Sequence, residues 1–386
     1  MDYFLTEEQQ MIRELAARIA DERVKPVAAE LDEKEEFPWE IMKVLGESDL
    51  FAVWVPEEYG GLGGGVFEQA LVVEELSRAC SGVAVSYAAS GLGSFPIIMF
   101  GSDEQKQRYL PDIASGKRLA AFALTEANAG SDVSGIATTA VLDGDEYVLN
   151  GTKQWITNGG EADIYTVIAV TDKSKGPRGS SAFIVEKGTP GLSFGKKEKK
   201  LGIRASATRE VIFENCRIPK ENLLGREGQG FVITMKTFDK TRPGIGAQAV
   251  GIAQGALDEA VNYARQRVQF GQPISSFQGI QFMLADMATQ IEAARALVYS
   301  VARWIDSGAK DVSQAAAMAK LFASDVCMKV TVDAVQILGG YGYMREYPVE
   351  KMMRDAKITQ IYEGTNQIQR SIIALDLIKK AARKNK

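Results

Sequence analysis

The hydrophobic pattern of this chain changes period twice, and no other feature constrains its fold as much. Up to about residue 118, apolar residues recur at helical spacing. Thr6 followed by Gln9 reads as a capping box, after which Ile12, Leu15, Ile19 and Val24 share one face until Pro26 stops the run. Further helical stretches are predicted at residues 38–45, 66–78, 83–100 and 103–110, split by a glycine-rich loop at 56–65. From Leu119 the pattern gives way to short β-rich runs at 120–124, 146–149, 164–170, 182–185 and 210–213, bounded by Gly, Asn, Asp or Pro. After Gly225 helical periodicity returns at 231–269, 277–307, 315–338 and 365–382. The expectation is an α+β multidomain chain with a helical domain at 1–118, a compact β domain at 119–225 and a second helical domain at 226–386, ending in a basic tail (379–386) that frays.

With 386 residues, 46% apolar and 25% charged, the composition is that of a soluble globular protein. No apolar run approaches the roughly 20 residues a membrane helix needs, because stretches such as 79–89 are interrupted by Ser and Gly. Met1-Asp2-Tyr3-Phe4-Leu5-Thr6 leads into an amphipathic helix instead of a basic and then apolar leader, so a cytoplasmic protein of bacterial type, without signal or transit peptide, is expected. A formal charge of −5 argues against general affinity for nucleic acid. The chain has no histidine, which removes Ser-His and Cys-His nucleophiles and HExxH zinc sites together, leaving proton transfer to Glu, Asp, Lys, Tyr or a cofactor. Cys80, Cys216 and Cys327 are too far apart for a metal or redox CxxC motif, and an odd count makes a poor disulfide framework.

Gly244-Ile245-Gly246-Ala247-Gln248-Ala249 satisfies a relaxed GxGxxA, but it follows Pro243 inside a helical stretch with no preceding strand, so helix packing explains it better than a dinucleotide site. Residues 122–132 leave a strand and gather hydroxyls, small residues and backbone amides in one turn, able to surround a flat polar ring or a pyrophosphate, although such residues also crowd ordinary turns. Residues 154–160 offer an aromatic face and a hydroxyl. Glu363 stands between Tyr362 and Gly364, just before a helix capped by Thr365. Beside apolar walls such a carboxylate loses hydration, its pKa rises and it becomes a competent base toward a carbon acid; alone, it reads equally well as a charged turn.

Together these segments resemble the acyl-CoA dehydrogenase family over essentially the whole chain: FALTEANAGSD (122–132), WITNGG (155–160), RVQFGQPI (267–274), QILGGYGY (336–343) and IYEGTNQIQR (361–370), with Ala127-Asn128 where the family commonly has Pro-Gly. The resemblance implies a central β-barrel-like domain, a C-terminal four-helix bundle and FAD held between them. It carries FAD contacts onto Phe122, Leu124, Thr125, Gly130 and Ser131 and onto Trp155, Ile156 and Thr157, with Thr157 near the flavin N5, Trp155 flanking the ring and Ser131 also meeting substrate. Arg267, Gln269, Phe270 and Gln278, with Gln336, Ile337, Leu338, Gly339 and Gly340, match residues that reach the ADP half of FAD from a neighbouring subunit; Thr365, Asn366 and Gln367 match FAD contacts at a helix N-terminus.

The resemblance further implies Glu363 as the base, since Thr241 stands where some relatives carry it and cannot serve. Asp239 and Arg242 resemble contacts to the CoA part of the thioester, a local ion pair being the alternative, and Gly364 leaves room for the acyl end. The implied reaction is dehydrogenation of an acyl-CoA to trans-2-enoyl-CoA in a homotetramer, the enolate stabilised by the Glu363 N–H and a flavin hydroxyl, and electrons passing to an electron-transferring flavoprotein. An acyl-CoA oxidase, an enoyl-CoA reductase and a non-catalytic flavin-binding homologue are the alternatives, the last disfavoured by the intact Glu363. Residues 81–90 contain no arginine to pair with a dicarboxylate. Residues 238–243 lean toward medium-chain relatives and 339–343 toward short-chain ones, with pocket depth expected from packing around Tyr87 and Ser90.

Overall fold

A computed structural model describes residues 3–384, the side chain of Lys384 excepted. Its elements follow the α, β, α order. The first helical part holds α1 (Glu7–Ile19), α2 (Ala28–Lys34), α3 (Trp39–Glu47), α4 (Val66–Ala79), α5 (Ser81–Phe100) and α6 (Asp103–Ala114). The middle part holds β1 (Ala120–Ala123), β2 (Thr139–Asp143), β3 (Glu146–Thr157), β4 (Ile164–Val170), β5 (Ser180–Glu186), β6 (Leu192–Phe194), β7 (Thr208–Pro219) and β8 (Leu223–Leu224). Then come α7 (Gly230–Gln266), the hairpin β9 (Val268–Gln269) and β10 (Gln272–Pro273), α8 (Gln278–Asp306), α9 (Ser313–Leu338), α10 (Val349–Thr359) and α11 (Asn366–Lys384).

The Thr6 capping box is formed, with Gln9 N at 3.2 Å from Thr6 Oγ1 and Thr6 N at 3.1 Å from Gln9 Oε1. Pro26 does not stop the helical run. A π-helical turn at Ala20–Val24 and a 3₁₀ turn at Lys25–Val27 carry the chain into α2, because a proline in the first turn of a helical segment forfeits an N–H that has no partner anyway. The basic tail expected to fray is helical to Lys384, while Asn385 and Lys386, like Met1 and Asp2, lie outside the described residues. The apolar run judged too short for a membrane, 79–89, breaks at Cys80 but leads into a longer one: α5 is 20 residues long and apolar enough to cross a bilayer by length and composition, yet 72% of its apolar window is buried within this protein. Its serines turn their hydroxyls inward, Ser86 Oγ donating to Gly82 O at 2.9 Å and Ser94 Oγ to Gly91 O at 3.1 Å, so the helix satisfies its polar groups without water.

The strands pair in the order β6-β7-β3-β2-β4-β5-β8, with β1 parallel to β4. Between β2 and β4 only Thr139 and Val170 are paired, so two ladders meet at a single point and wrap a shared interior in which Tyr165, Phe183 and Phe213 are buried. Through the C-terminal part runs α7, a helix of 37 residues packed against α4, α5, α8, α9 and α10. The sequence Gly244–Ala249 lies inside it, as helix packing requires: a Cβ on Gly246 would meet Val298 Cγ2 of α8 at 2.7 Å, while on another face of α7 Gly251 and Gly255 lie against the carbonyls of Glu74 and Arg78 in α4. Gly251→Ala would bring a Cβ within 2.1 Å of Glu74 O, so it is expected to destabilise the fold by about 1–3 kcal/mol and lower the melting temperature. Gly279→Ala in α8, where a Cβ meets nothing within 4 Å, is the control expected to leave it unchanged or slightly raised. Equal melting temperatures for the two variants would contradict this packing.

Candidate active site

Glu363 lies in the turn between α10 and α11 with φ +49°, followed by Gly364 at φ +91°. The left-handed region is uncommon for a glutamate. Glycine is required next to it, since a Cβ on Gly364 would approach Gln369 Nε2 to 2.7 Å. Thr241 Oγ1, on α7, donates to Glu363 Oε2 at 2.6 Å. Arg242 Nε reaches the Glu363 carbonyl at 3.4 Å, and Gln369 Nε2 donates to the carbonyls of Glu363 and Gly364 at 3.1 and 2.9 Å. The neighbouring Tyr362 hydroxyl donates to Gln248 Oε1, and Gln248 Nε2 donates in turn to Ser81 Oγ at 2.7 Å. Burial pushes the Glu363 carboxyl up to about 7, against the Thr241 hydrogen bond and the charges of Arg242 and Lys320. The Glu363 N–H has no hydrogen-bond partner among the described residues. Thr241 and Glu363, the two positions weighed for the base, thus meet in space, the hydroxyl serving as donor to the carboxylate.

Asp239 and Arg242 are both buried and take protein partners. Arg242 Nη1 lies 3.8 Å from Asp239 Oδ1, Ser313 Oγ donates to Asp239 Oδ2 at 2.7 Å, and the guanidinium lies over the Phe238 ring at 5.6 Å. The local ion pair is therefore formed. Thr365 caps α11, accepting from Ile368 N at 3.3 Å, and Gln367 is exposed. The Asn366 carboxamide is buried and fully engaged by Lys320, Ser324 and Asp325, and its N–H donates to Gln360 O at 3.0 Å, so Asn366 shapes the start of α11 from within.

A second cluster forms on the β part. Glu126 and Ala129 exchange backbone hydrogen bonds at 3.0 and 3.2 Å, so Ala127-Asn128 closes this turn without Pro-Gly. Behind it lies Lys153, on β3 and fully buried, whose ammonium donates to Leu124 O at 3.0 Å and Glu126 Oε1 at 2.7 Å. Glu126 also accepts from the N–H groups of Ala137 and Thr138 at 2.7 and 2.9 Å. Burial pulls Lys153 down to about 8 despite Glu126; for Glu126 burial acts the other way, but Lys153 and these donors hold its carboxyl below the usual value.

Opposite β7 the strand β3 carries one extra residue, Lys153 pairing with Val211 and Ile156 with Arg209. At this bulge Gln154 N turns to Thr125 O at 2.7 Å, and Trp155 takes φ +56° and is 57% exposed. A tryptophan strained into that conformation and held in solvent is suited to a binding surface. The hydroxyls of Thr125, Ser131 and Thr157 have no hydrogen-bond partner among the described residues, and Gly130 is open. A flat exposed indole, three available hydroxyls and an open glycine match the needs of a flavin ring. Phe122, Leu124 and Ile156 have buried side chains, Phe122 packing 6.0 Å from Phe238, and offer a ligand only their main chain.

The third cluster joins two motifs about 70 residues apart in sequence. A surface depression of about 490 Å³ is lined by Arg267, Gln269, Ile337, Leu338, Gly339 and Gly340, among others, and by neither Glu363 nor Trp155. The Arg267 guanidinium lies 5.2 Å over the Tyr341 ring. Phe270 and Gly271, both with positive φ, make the tight turn of the β9–β10 hairpin and leave Phe270 92% exposed; Gln278 and Gln336 are exposed as well.

Several residues were missed in the sequence. Of the two residues expected to set pocket depth, Tyr87 faces the N-terminal core, donating to Leu50 O at 2.7 Å between Phe51 and Trp54, and Ser90 faces β1, its Oγ accepting from Ala120 N at 3.3 Å. A polar group facing the same side of α7 as Thr241 is Gln69 of α4. Its buried amide has no hydrogen-bond partner among the described residues and sits 4.0 Å from where a Cβ of Gly244 would lie, one helical turn from Thr241 on the same face of α7. Lys153 had a signal, an inward position in a strand, as did Lys320, a lysine on the apolar face of α9.

The three domain models of one family match the chain in sequence: acyl-CoA dehydrogenase N-terminal domain at 6–117, middle domain at 121–216 and C-terminal domain at 228–378. The short-chain specific acyl-CoA dehydrogenase of Clostridium acetobutylicum is 50% identical over 97% of this chain and 99% of that protein. The acryloyl-CoA reductase (NADH) of Anaerotignum propionicum is 49% identical over 98% of this chain and 97% of that protein. Among solved structures, a chain in that of the electron transferring flavoprotein of Acidaminococcus fermentans, a study of flavin-based electron bifurcation, superposes with TM-score 0.96 at 54% identity, covering 98% of this chain and 99% of that one. Butyryl-CoA dehydrogenase from Megasphaera elsdenii gives TM-score 0.95 at 49% identity, covering 98% and 100%. With the α, β, α fold, the Glu363 turn and the flavin-compatible face of β3 in agreement, this chain belongs to the acyl-CoA dehydrogenase family of FAD-dependent oxidoreductases.

Proposed function

We propose that the chain dehydrogenates a short acyl-CoA to trans-2-enoyl-CoA, with Glu363 taking the α-proton. The observation that carries this reading is the Glu363 carboxylate, held by Thr241 and lifted by burial to about 7, where a carboxylate is a usable base near neutral pH. FAD, when bound, supplies the acceptor for the β-hydrogen as hydride. Trp155, Thr157, Thr125, Gly130 and Ser131 would hold the flavin side, with main-chain groups of Phe122, Leu124 and Ile156. Thr365, Asn366 and Gln367 would meet the cofactor at the start of α11. Arg267, Gln269, Phe270 and Gln278, with residues 336–340, would hold the ADP half of a partner subunit's cofactor. As the α-proton leaves, charge builds on the thioester oxygen, and the unpaired N–H of Glu363 is the donor this chain offers it; losing one such donor typically costs about 2.7–4 kcal/mol. Gly364 leaves the acyl end room, while Asp239 and Arg242 serve the CoA side chiefly by fixing the wall behind the base.

The exposed apolar side chains of Val268, Phe270, Phe282 and Tyr343 fit a homotetramer, in which each subunit completes another's cofactor site. An electron-transferring flavoprotein is the proposed acceptor, supported by the likeness to a chain of such a complex. Three free, buried cysteines suit a reducing, cytoplasmic setting. The named acryloyl-CoA reductase at 49% identity favours one second reading, the same residues working on an enoyl-CoA in the opposite direction.

Glu363→Gln is expected to keep FAD and bind acyl-CoA, yet fail to bleach the flavin in anaerobic titration, because an amide cannot accept the proton. Normal bleaching would remove Glu363 from the base role. Because the base must be ionised, the rate of flavin reduction should rise with pH through about 7 in the native protein. Thr241→Val removes a donor that holds that value down, so the rising limb should move up by about half to one pH unit, lowering the rate below neutrality and sparing it at high pH. A limb that stays in place or moves down contradicts the assignment.

Support for a short acyl group comes from the named relatives and from the amide of Gln69 on the Thr241 side of α7. With acyl-CoAs of increasing length, reduction should be fastest near four carbons, and Gln69→Ala should raise the relative rate with longer chains by roughly tenfold. An unchanged chain-length profile would take Gln69 out of the pocket. Faster reduction of the enoyl-CoAs than oxidation of the acyl-CoAs in the same panel would favour the reductase reading.

A further inference from the structure

The turn that bears Glu363 is strained, and the group that braces it most directly has no place in the proposed reaction. Glu363 and Gly364 are both left-handed, an arrangement a glutamate keeps only when its surroundings impose it. On the buried face of α9, between Ala316 and Ala323, Lys320 is fully removed from solvent. Its ammonium donates to Gly364 O and to Asn366 Oδ1, each at 2.8 Å. Asn366 is fixed in turn, its Nδ2 donating to Ser324 Oγ at 2.9 Å and Asp325 Oδ1 at 2.8 Å. The Gly364 carbonyl therefore cannot rotate, and the Glu363–Gly364 conformation cannot relax, without costing a buried lysine one of its two acceptors.

We infer that Lys320 is a positioning residue for the base: by tying down the Gly364 carbonyl and the Asn366 side chain it holds Glu363 under Thr241 with its N–H free, and it places a positive charge beside the carboxylate. The role rests on the reading of Glu363 as the base. The charged groups facing Lys320 are Glu363 from the turn, Arg242 from α7 and Asp325 from α9 itself. Burial pulls Lys320 down to about 7, with Glu363 opposing and Arg242 adding to it. For Glu363 burial acts upward, and the Lys320 charge is one of those that oppose it, so each group favours the charged form of the other.

The test uses the FAD-loaded protein and measures anaerobic flavin reduction by saturating butyryl-CoA across pH, with the FAD content of each sample. Lys320→Met keeps the stem but removes the donors and the charge; Lys320→Gln keeps a donor and removes the charge. Lys320→Met should bind acyl-CoA normally, lose roughly tenfold or more of the high-pH rate per bound FAD, and show its rising limb at higher pH, because the cation favouring ionised Glu363 is gone. Lys320→Gln should show the same upward movement of the limb with most of the high-pH rate retained. An unmoved limb in Lys320→Gln overturns the proposal, as does a normal high-pH rate per FAD in Lys320→Met. Should the methionine variant fail to fold, the glutamine variant's limb decides alone. Glu363→Gln is run alongside: if it reduces flavin, the reading of the base is what fails, whereas if it is inert while the Lys320 variants match the native protein, only the role of Lys320 fails.

Discussion

The hydrogen bond from the Thr241 hydroxyl to the Glu363 carboxylate, 2.6 Å long, joins residues 122 apart in sequence and sets the geometry on which the site depends. It requires that α7 pass directly behind the turn between α10 and α11. The small residues along α7 allow that, since Gly246, Gly251 and Gly255 bring neighbouring helices to distances that a Cβ would forbid. The bond also divides the control of Glu363 between opposing effects. Loss of hydration raises its affinity for a proton, while Thr241, Arg242 and Lys320 each lower it. A carboxylate exposed to water would be too weak a base, and one buried without these partners would stay protonated.

The flavin face follows the same logic with different groups. Lys153 and Glu126 form a buried ion pair, and for such pairs the cost of burying two charges can exceed what their attraction alone returns. The backbone groups of Leu124, Ala137 and Thr138 complete their coordination. This network fixes the turn at residues 126–129 against the β3 bulge, and the bulge turns the Trp155 indole outward. Rigid support behind an exposed, strained residue is what a site needs to hold a planar ligand without reorganising.

Much of this was legible in the chain. Two changes of hydrophobic period gave the three-part order, while IYEGT marked Glu363 as the base only through the family resemblance, since by itself a carboxylate between an aromatic residue and glycine before a helix reads equally well as a charged turn. What stayed hidden depended on contacts across long sequence separations. Nothing in residues 318–322 tells that Lys320 meets Gly364, and nothing in α4 tells that Gln69 lies beside Gly244. Tyr87 was assigned to the acyl pocket, but a helix buried on all sides gives no periodicity to tell which face meets which neighbour. Pro26 misled for a local reason, since a π-helical turn before it absorbed the break.

The central claim is that Glu363 is the group that removes the α-proton of the acyl-CoA. The most direct measurement isolates that step, using an acyl-CoA whose β-carbon is replaced by sulfur, so that no β-hydrogen can transfer, and following exchange of its α-protons with D₂O by NMR in the FAD-loaded protein. The account requires exchange that rises with pH through about 7 and disappears in Glu363→Gln. Exchange that persists in that variant, or that shows no dependence on pH in this range, would contradict it.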